Sequence, residues 1–175
     1  MQYPSLTTGL IDVTKLNAML EQTFRKDTPT PRASTTTAVA DPFFTGIAIG
    51  VGTWKISAIF HTMMTTNAAT AAVAGIKINW QIAGGAWSGV RSCRGIAFVT
   101  GNTTPADVSM RNIGSSMGTD QTYGGITTAN QPVHEDIVVT VSTPGSLSVN
   151  WAQATSNANA TILGANSLIT MRQIE

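Results

Sequence analysis

The N-terminal segment of the chain follows a helical pattern of apolar residues. The pattern predicts a helix over residues 12–24, because spacings of three and four place side chains on one helix face. Asp12 can cap this helix, since its carboxylate accepts a backbone N–H that lacks a partner in the first turn. So short a helix is only marginally stable alone in water, so its apolar face must be buried against another surface. The apolar residues are Val13, Leu16, Leu20 and Phe24, preceded by Leu10 and Ile11.

The sequence Thr28-Pro29-Thr30-Pro31 ends the helical pattern and favours an extended linker. We therefore predict a docking arm over residues 1–32 and a second unit over residues 33–175. The apolar stripe of the arm has two interpretations. It can fold back over the second unit and close its core, or it can bind a partner. The proline-rich linker favours a partner, because such segments act as semi-rigid spacers.

From residue 33 onward the apolar residues recur at every second position. Residues 54–61 and 76–82 alternate most clearly, which is typical of half-buried β-strands. Several short strands without a convincing helix between them predict an all-β sandwich or barrel. Residues 102–131 do not alternate, and we interpret them as a long loop. Residues 65–75 do not alternate either, and they can be a loop or a segment at the edge of a strand. Further strands are predicted over residues 43–49, 96–100, 137–141, 147–152 and 168–174.

The composition indicates what kind of surface the chain presents. Charged residues make up 11% of the chain, against roughly 25% in an average globular protein. Small neutral residues take their place, which suits a protein packed permanently against other subunits. The net charge is +1, and Arg91 and Arg94 have no basic neighbours. We therefore do not expect nucleic-acid binding, which requires clustered Lys and Arg.

Cys93 is the single cysteine, so neither an intrachain disulfide nor a cysteine zinc site is expected. The N-terminus lacks the pattern of a secretory signal. No run of residues approaches the roughly 20 apolar residues of a membrane span. We expect a protein made in a reducing cytoplasm and not inserted in a membrane.

Two motifs invite an enzymatic interpretation. Residues 114–118 match the G-x-S-x-G nucleophile elbow, with Ser116 at its centre. Asp120, His134 and Asp136 are nominal triad partners. The motif requires a buried strand before the serine and a helix after it, and its flanks here are polar and glycine-rich. We predict a flexible loop and no enzyme.

The sequence His134-Glu135-Asp136 is the densest titratable cluster. A metal site would need further ligands, and His61 lies on a different predicted strand. Glu135 and Asp136 cannot point the same way in an extended chain. We interpret the three as solvated charges at the start of a strand. A calcium site with Asp107, Asp120 or Asp136 lacks the usual ligand spacing, and no cofactor is expected.

The four tryptophans suggest a sugar-binding alternative. Trp54, Trp80 and Trp151 lie at inward positions of predicted strands and are assigned to the core. Trp87 lies in the predicted 84–89 loop and is the candidate exposed platform for a host glycan.

The C-terminal sequence resembles a recurrent ending in minor structural proteins of tailed bacteriophages. Residues 146–161 read SLSVNWAQATSNANAT, and residues 164–168 read GANSL. In that family a Trp-Ala-Gln strand leads into a Ser-Asn-Ala loop, and a final strand closes the chain. The opening from Arg25 to Ile56 is similar to that of the family. Asn166 and the 171–174 tail depart slightly from the pattern, which leaves the subfamily open.

The resemblance implies a jelly-roll-like β-sandwich, often a homotrimer, with no catalytic residues. We therefore expect a structural protein of the virion, specifically a minor tail protein of the tail tip or a fibre. Its arm residues would bind other virion proteins. A capsid decoration protein is the alternative, which the sequence does not separate from the first. A host-glycan-binding module remains the hypothesis of a different class.

Overall fold

The computed structural model describes residues 20–65, 74–97, 110–125 and 130–175, which contain 13 β-strands. In chain order the strands are β1 (Gln22–Arg25), β2 (Thr30–Arg32), β3 (Val39–Ala40), β4 (Ile47–Ile49), β5 (Gly52–Met64), β6 (Ile76–Ala83), β7 (Trp87–Ile96), β8 (Met110–Ser116), β9 (Gln121–Tyr123), β10 (Gln131–Val141), β11 (Gly145–Gln153), β12 (Thr161–Leu163) and β13 (Leu168–Gln173).

The strands form two antiparallel sheets that enclose one core. The larger sheet has the order β1-β13-β5-β10-β7-β8, and β2 and β12 extend it beside the end of β5. The smaller sheet has the order β3-β11-β6-β9, with β4 also paired to β11. The pairs β5–β13, β6–β11 and β7–β10 are nested within one another along the chain. This nesting is that of a long hairpin folded into two sheets, as in a jelly roll. The predicted all-β sandwich is confirmed.

The core forms because the two-residue alternation puts one apolar row of each strand between the sheets. On β5 and β6 every second residue is buried, and the residues between them are half-buried or exposed. Trp54, Trp80 and Trp151 all lie in this core, as predicted. The predicted strands over 54–61, 76–82, 137–141, 147–152 and 168–174 correspond to β5, β6, β10, β11 and β13.

The loop predicted over residues 102–131 contains two strands within its described part, β8 and β9. β8 pairs with β7 through Gly114 and Ser115, small residues that carry no hydrophobic alternation. β7 itself begins at Trp87, well before the strand predicted over residues 96–100. Charged and small residues on β7 hide its strand pattern, because Arg91 occupies a buried position.

The predicted strand over residues 43–49 is shorter in the structure, where β4 starts at Ile47. The Oδ1 of Asp41 accepts hydrogen bonds from the backbone N–H groups of Phe43 and Phe44, at 2.9 and 3.2 Å. An aspartate that bonds its own backbone in this way favours a turn over a strand.

The helix predicted over residues 12–24 is wrong over residues 20–24, which are not helical, and residues 12–19 lie outside the described residues. Gln22–Arg25 forms β1, and Phe24 faces the core opposite Ile169 of β13. Phe24 fits a two-residue period as well as a helical one, and pairing with β13 decides between them. The Pro31 segment is extended, as predicted, but it pairs with β12 as β2. Residues 22–32, which the sequence assigns to the arm, are therefore strands of the larger sheet.

This arrangement predicts different effects for two N-terminal truncations. Removing residues 1–19 leaves every strand of the described ranges in place. Removing residues 1–32 deletes β1 and β2 and leaves Asp41 buried without Lys26, its ionic partner. We expect the longer truncation to lose roughly 3–5 kcal/mol more unfolding free energy than the shorter one. Urea denaturation measures both. Equal stabilities would contradict the placement of β1 and β2 in the sheet.

Candidate functional site

A buried cluster of polar side chains lies between the two sheets, around the carboxylate of Glu135. Arg91 Nη1 donates to both carboxylate oxygens, at 3.2 and 3.0 Å. Trp80 Nε1 donates to Oε2 at 2.5 Å, and the Tyr123 hydroxyl donates to Oε1. Arg91 and Glu135 come from β7 and β10 of the larger sheet, whereas Trp80 and Tyr123 come from β6 and β9 of the smaller one. We call these four residues the Arg91–Glu135 cluster.

The remaining donors of Arg91 also have partners. Its Nη2 donates to the backbone oxygen of Ile78 at 3.0 Å and to that of Thr119, and its Nε donates to Ser115 Oγ at 3.3 Å. The guanidinium is therefore bonded to both sheets and to the turn after β8. A buried charge with all its bonding groups satisfied is held in one orientation.

The cluster is closed to solvent. The side chains of Arg91 and Glu135 are both 0% exposed, and Trp80 and Tyr123 are buried beside them. Burial, and then the neighbouring Glu135 carboxylate, raise the pKa of the Tyr123 hydroxyl far above its ordinary value. The same two causes raise the pKa of the Cys93 thiol, which is also buried. Because these groups are buried and bonded across the core, the arrangement joins the two sheets.

A second buried ion pair joins Lys26, just after β1, to Asp41, just after β3. Lys26 Nζ lies 2.9 and 3.1 Å from the two carboxylate oxygens and donates to Thr30 Oγ1 at 2.6 Å. Trp151 Nε1 donates to Asp41 Oδ2 at 3.1 Å. Burial raises the pKa of the Asp41 carboxyl, but the hydrogen bonds from Lys26, the Phe43 N–H and Trp151 outweigh it and hold that pKa below its ordinary value.

The structure corrects the interpretation of the His134-Glu135-Asp136 sequence as solvated charges. Glu135 is fully buried, because it occupies an inward position of β10 between Val133 and Ile137. His134 and Asp136 do face outward, and Asp136 accepts hydrogen bonds from Ser57 Oγ at 2.7 Å and Arg94 Nη2 at 3.4 Å. The alternation along β10 is the sequence feature that places Glu135 inward.

The structure does not bring the nominal triad together. Ser116 ends β8 opposite Val90, whereas His134 lies opposite Arg94. Val90 and Arg94 are four residues apart on β7, about 13 Å along a strand. Ser116 is an exposed residue on a strand, and Met117 after it is buried, so the predicted flexible loop is wrong at this point.

The described residues contain neither a metal-binding cluster nor a helix that could span a membrane. Over residues 20–65, 74–97, 110–125 and 130–175, no three His, Cys, Asp or Glu side chains are grouped closely enough to hold a metal ion. His61 lies on β5 of the larger sheet, and Asp120 lies in the connection between β8 and β9. Asp107 lies outside these ranges. Within the same ranges, no helix is long and apolar enough to cross a bilayer.

The candidate binding residues have separate positions. Trp87 starts β7, is half-buried and packs against the core, so only part of its ring is accessible for a sugar. Leu20 is 56% exposed at the edge of the described chain, and Phe24 is half-buried in β1. Leu10, Ile11, Val13 and Leu16 lie outside the described residues.

The outer face of the larger sheet carries one lateral row of side chains that runs across its strands. Cross-strand register aligns Arg172 of β13 with Lys55 of β5, Lys55 with Val138 of β10, and Val138 with Val90 of β7. We call these four residues the outer-face row. Val90 and Val138 are 67% and 46% exposed, and they lie in a shallow, mainly apolar depression of about 600 Å³.

The outer face of the smaller sheet is nearly uncharged. Of the outward residues on β6 and β11, Lys77 alone is charged, and it lies 3.3 Å from Asp120. The others are small or neutral: Asn79, Gln81, Ala83, Ser146, Ser148 and Asn150. We call this surface the neutral face.

Comparisons with known proteins give little. No family model matches the chain, and no curated protein matches it. Among solved structures, the chain is similar to chains of infectious bursal disease virus. The Gt strain is 12% identical with a TM-score of 0.22, and the Gx strain is 13% identical with the same score. The matches cover 87% of this chain but only 38% and 40% of the viral chains. Likeness at this level carries no argument about function.

The first prediction from this site concerns the Arg91–Glu135 cluster. Glu135→Gln leaves the Arg91 charge buried without a counter-charge. The amide has one acceptor oxygen, whereas both oxygens of the Glu135 carboxylate accept hydrogen bonds. We expect a loss of roughly 3–5 kcal/mol in unfolding free energy. Asp136→Asn on the same strand is the matched control and should change stability by about 0.5 kcal/mol or less, since Asp136 is exposed. Denaturant titrations compare them. Equal losses would contradict the structural role of Glu135.

The second prediction concerns pH. The folded-state pKa of Asp41 lies below its ordinary value of 3.8. The ionised carboxylate therefore contributes its full share of the unfolding free energy above pH 3.8, and this share is lost as the pH falls from there through the lowered pKa. Asp41→Asn carries a neutral side chain at every pH. The stability gap between the wild type and Asp41→Asn should therefore be constant at neutral pH and shrink below about pH 4. Thermal unfolding at a series of pH values measures the gap. A gap that persists at about pH 2 would contradict this account.

Proposed function

We propose that the chain is a structural component of a bacteriophage virion, a minor tail protein that self-associates through its β-sandwich. The residues before β1 would attach it to other virion proteins. The neutral face carries this proposal. Interface cores are depleted in charged residues relative to the rest of a protein surface, and Lys77 is the one charged outward residue of the two long neighbouring strands β6 and β11.

The motif that resembles the phage proteins has a defined role in the fold, which supports the same proposal. Trp151, Ala152 and Gln153 are all buried at the end of β11. Gln153 Nε2 donates to the backbone oxygen of Asn159 at 2.8 Å, and its Oε1 accepts from the N–H of Asn157 at 3.0 Å. The glutamine thus shapes the Ser-Asn-Ala turn that leads to β12. These residues serve the architecture, as a family of structural proteins requires.

The placement of charges fits a building unit better than an enzyme. The two fully buried ion pairs of the described body hold strands together, and Ser116 and His134 lie far apart. A homotrimer formed through the neutral face would bury small polar side chains without stranding a charge. The protein would then be located in the virion after synthesis in the host cytoplasm.

Self-association through the neutral face is testable with one introduced charge. Ser148→Lys places an ammonium at the centre of this face and should dissociate the oligomer, because burying an unpaired charge is costly. Thr140→Lys, on the outer face of the larger sheet, is the control and should not. Light scattering on purified protein should give a multiple of 18.3 kDa for wild type and control, and 18.3 kDa for Ser148→Lys.

A monomeric wild type, or an unchanged Ser148→Lys oligomer, would contradict the interface. Quantitative mass spectrometry of purified particles tests the location. A few copies per particle support the tail, and copies in proportion to the capsid lattice indicate head decoration. Absence of the protein from the particle would overturn the virion assignment.

A further inference from the structure

Strand β8 forms one edge of the larger sheet, and its backbone is oriented for pairing on the side away from β7. The N–H of Met117 donates to the backbone oxygen of Gly89 at 3.0 Å, in the register of the β7–β8 pair. Such bonds recur at every second residue of an antiparallel pair, so Ile113 and Ser115 also bond to β7. Gly114, between them, therefore points its N–H and C=O away from β7. Among the described residues no strand pairs with this side of β8, and Gly114 is exposed.

The other edge strands of the described ranges are short or blocked. β1 has four residues and ends in the exposed Arg25, and β2 contains Pro31, which has no N–H to donate. The backbone oxygens of Val39 and Ala40, which make up β3, accept hydrogen bonds from the Arg32 guanidinium at 2.8 and 2.9 Å. Strands β4 and β9 have three residues each. Soluble proteins protect their edges in these ways, because an open edge is a template for another strand.

β8 differs from these edges in length and composition. It has seven residues, and its stretch from Asn112 to Ser116 contains neither a charged residue nor a proline. Arg111, near its start, is the one charged residue of the strand. A row of N–H and C=O groups with the spacing of a strand is matched by another extended backbone. The chemistry of this edge therefore fits a β-strand as its partner.

The sequence of β8 suits pairing with a copy of itself. In an antiparallel pair centred on Gly114, the same residue of a second copy lies directly opposite, and Ile113 lies opposite Ser115. Arg111 lies opposite Met117, so the two Arg111 residues are separated by about 20 Å along the strands. The pair therefore places no like charges opposite each other, and both copies use the same surface, as a two-fold axis requires.

We propose that β8 of one chain pairs antiparallel with β8 of a second copy, about a two-fold axis at Gly114. The larger sheets of the two copies then form one continuous sheet. This contact lies on a different surface from the neutral face, so it is a second self-contact that does not depend on the first. It buries few side chains, so it is weak in dilute solution and acts at the high local concentration of an assembly. Two different self-contacts on one chain link oligomers into a larger array.

Disulfide trapping tests the pairing and its direction. Gly114→Cys places two thiols opposite each other at the axis, at a Cα separation of about 5.5 Å that a disulfide spans. A Cβ added at Gly114 meets nothing closer than the backbone oxygen of Arg91 at 3.9 Å, so the variant fits the strand. Ser116→Cys is the matched control. Ser116 is exposed on the same strand but lies about 14 Å along the strands from Ser116 of the partner subunit in this arrangement.

After mild oxidation, non-reducing gels should show most of the Gly114→Cys protein as a disulfide-linked dimer and little of the Ser116→Cys protein. The native Cys93 is buried and does not compete. Equal yields for the two variants would indicate parallel pairing or random collision and would overturn the proposal. The absence of a Gly114→Cys dimer would overturn it as well.

Amide hydrogen exchange, measured by NMR, gives a second test that needs no new cysteine. The Gly114 N–H should exchange about tenfold more slowly in concentrated than in dilute protein, because pairing with a second copy protects it. The Ser115 N–H is bonded to β7 and should exchange equally slowly at both concentrations. A Gly114 rate that does not change with concentration would overturn the proposal. If that rate is slow throughout, another segment of the same chain covers the edge.

Combining variants separates this inference from the proposed function. Gly114→Cys should form its disulfide dimer equally well with Ser148→Lys in the same chain, because the two contacts are independent. Loss of the dimer in that double variant would overturn the independent second contact. If Ser148→Lys leaves the oligomer unchanged but Gly114→Cys is trapped, the neutral-face interface is wrong and edge pairing holds. If Ser148→Lys dissociates the oligomer but Gly114→Cys is not trapped, the neutral-face interface holds and edge pairing is wrong.

Discussion

The structure depends on the burial of one charge pair between its two sheets. Removing Arg91 and Glu135 from water costs several kcal/mol per ion, and their attraction offsets this cost only with good geometry and further hydrogen bonds. Trp80 and Tyr123 supply those bonds to Glu135 from the opposite sheet. The pair is therefore satisfied only when the two sheets have one particular relative position. The aliphatic side chains around the pair would be compatible with several relative positions of the two sheets.

The Lys26–Asp41 pair applies the same constraint at the opposite side of the sandwich. It joins the end of β1 to the turn that follows β3, and Trp151 of β11 donates to the same carboxylate. Both pairs use charges for architecture, and both lie out of reach of solvent. With so few charged residues in the chain, the outer face of the smaller sheet is left nearly neutral, whereas the outer face of the larger sheet carries Lys55, Arg94, Asp136 and Arg172.

The sequence predicts the fold better than it predicts the site, and the reason is physical. Strands β5, β6, β10, β11 and β13 alternate clearly, and their existence follows from local pattern alone. β7 and β8 escape the pattern because Arg91 occupies an inward position and Gly114 and Ser115 lack bulk. Phe24 satisfies both a helical and a two-residue period, so only pairing with β13 assigns it to a strand.

The inward position of Glu135 can be predicted from the sequence, but its ionic partner cannot. Its inward position is readable from the alternation of Val133, Ile137 and Val139. The sequence does not show its partner, because Arg91 reaches Glu135 through the register of β7 against β10. In that register Cys93 is opposite Glu135, and Arg91 lies two residues further along, opposite Ile137. Such a diagonal contact depends on tertiary register, which no short motif encodes. The Tyr123 and Trp80 donors depend further on how the sheets stack.

A double-mutant cycle on Arg91 and Glu135 tests the central claim most directly. Arg91→Met, Glu135→Leu and the double variant would be unfolded in urea beside the wild type. The account predicts that each single variant is strongly destabilised, that the double variant recovers much of the loss, and that the coupling energy is about 3 kcal/mol or more. A coupling energy below about 0.5 kcal/mol, as for an exposed pair, would contradict it.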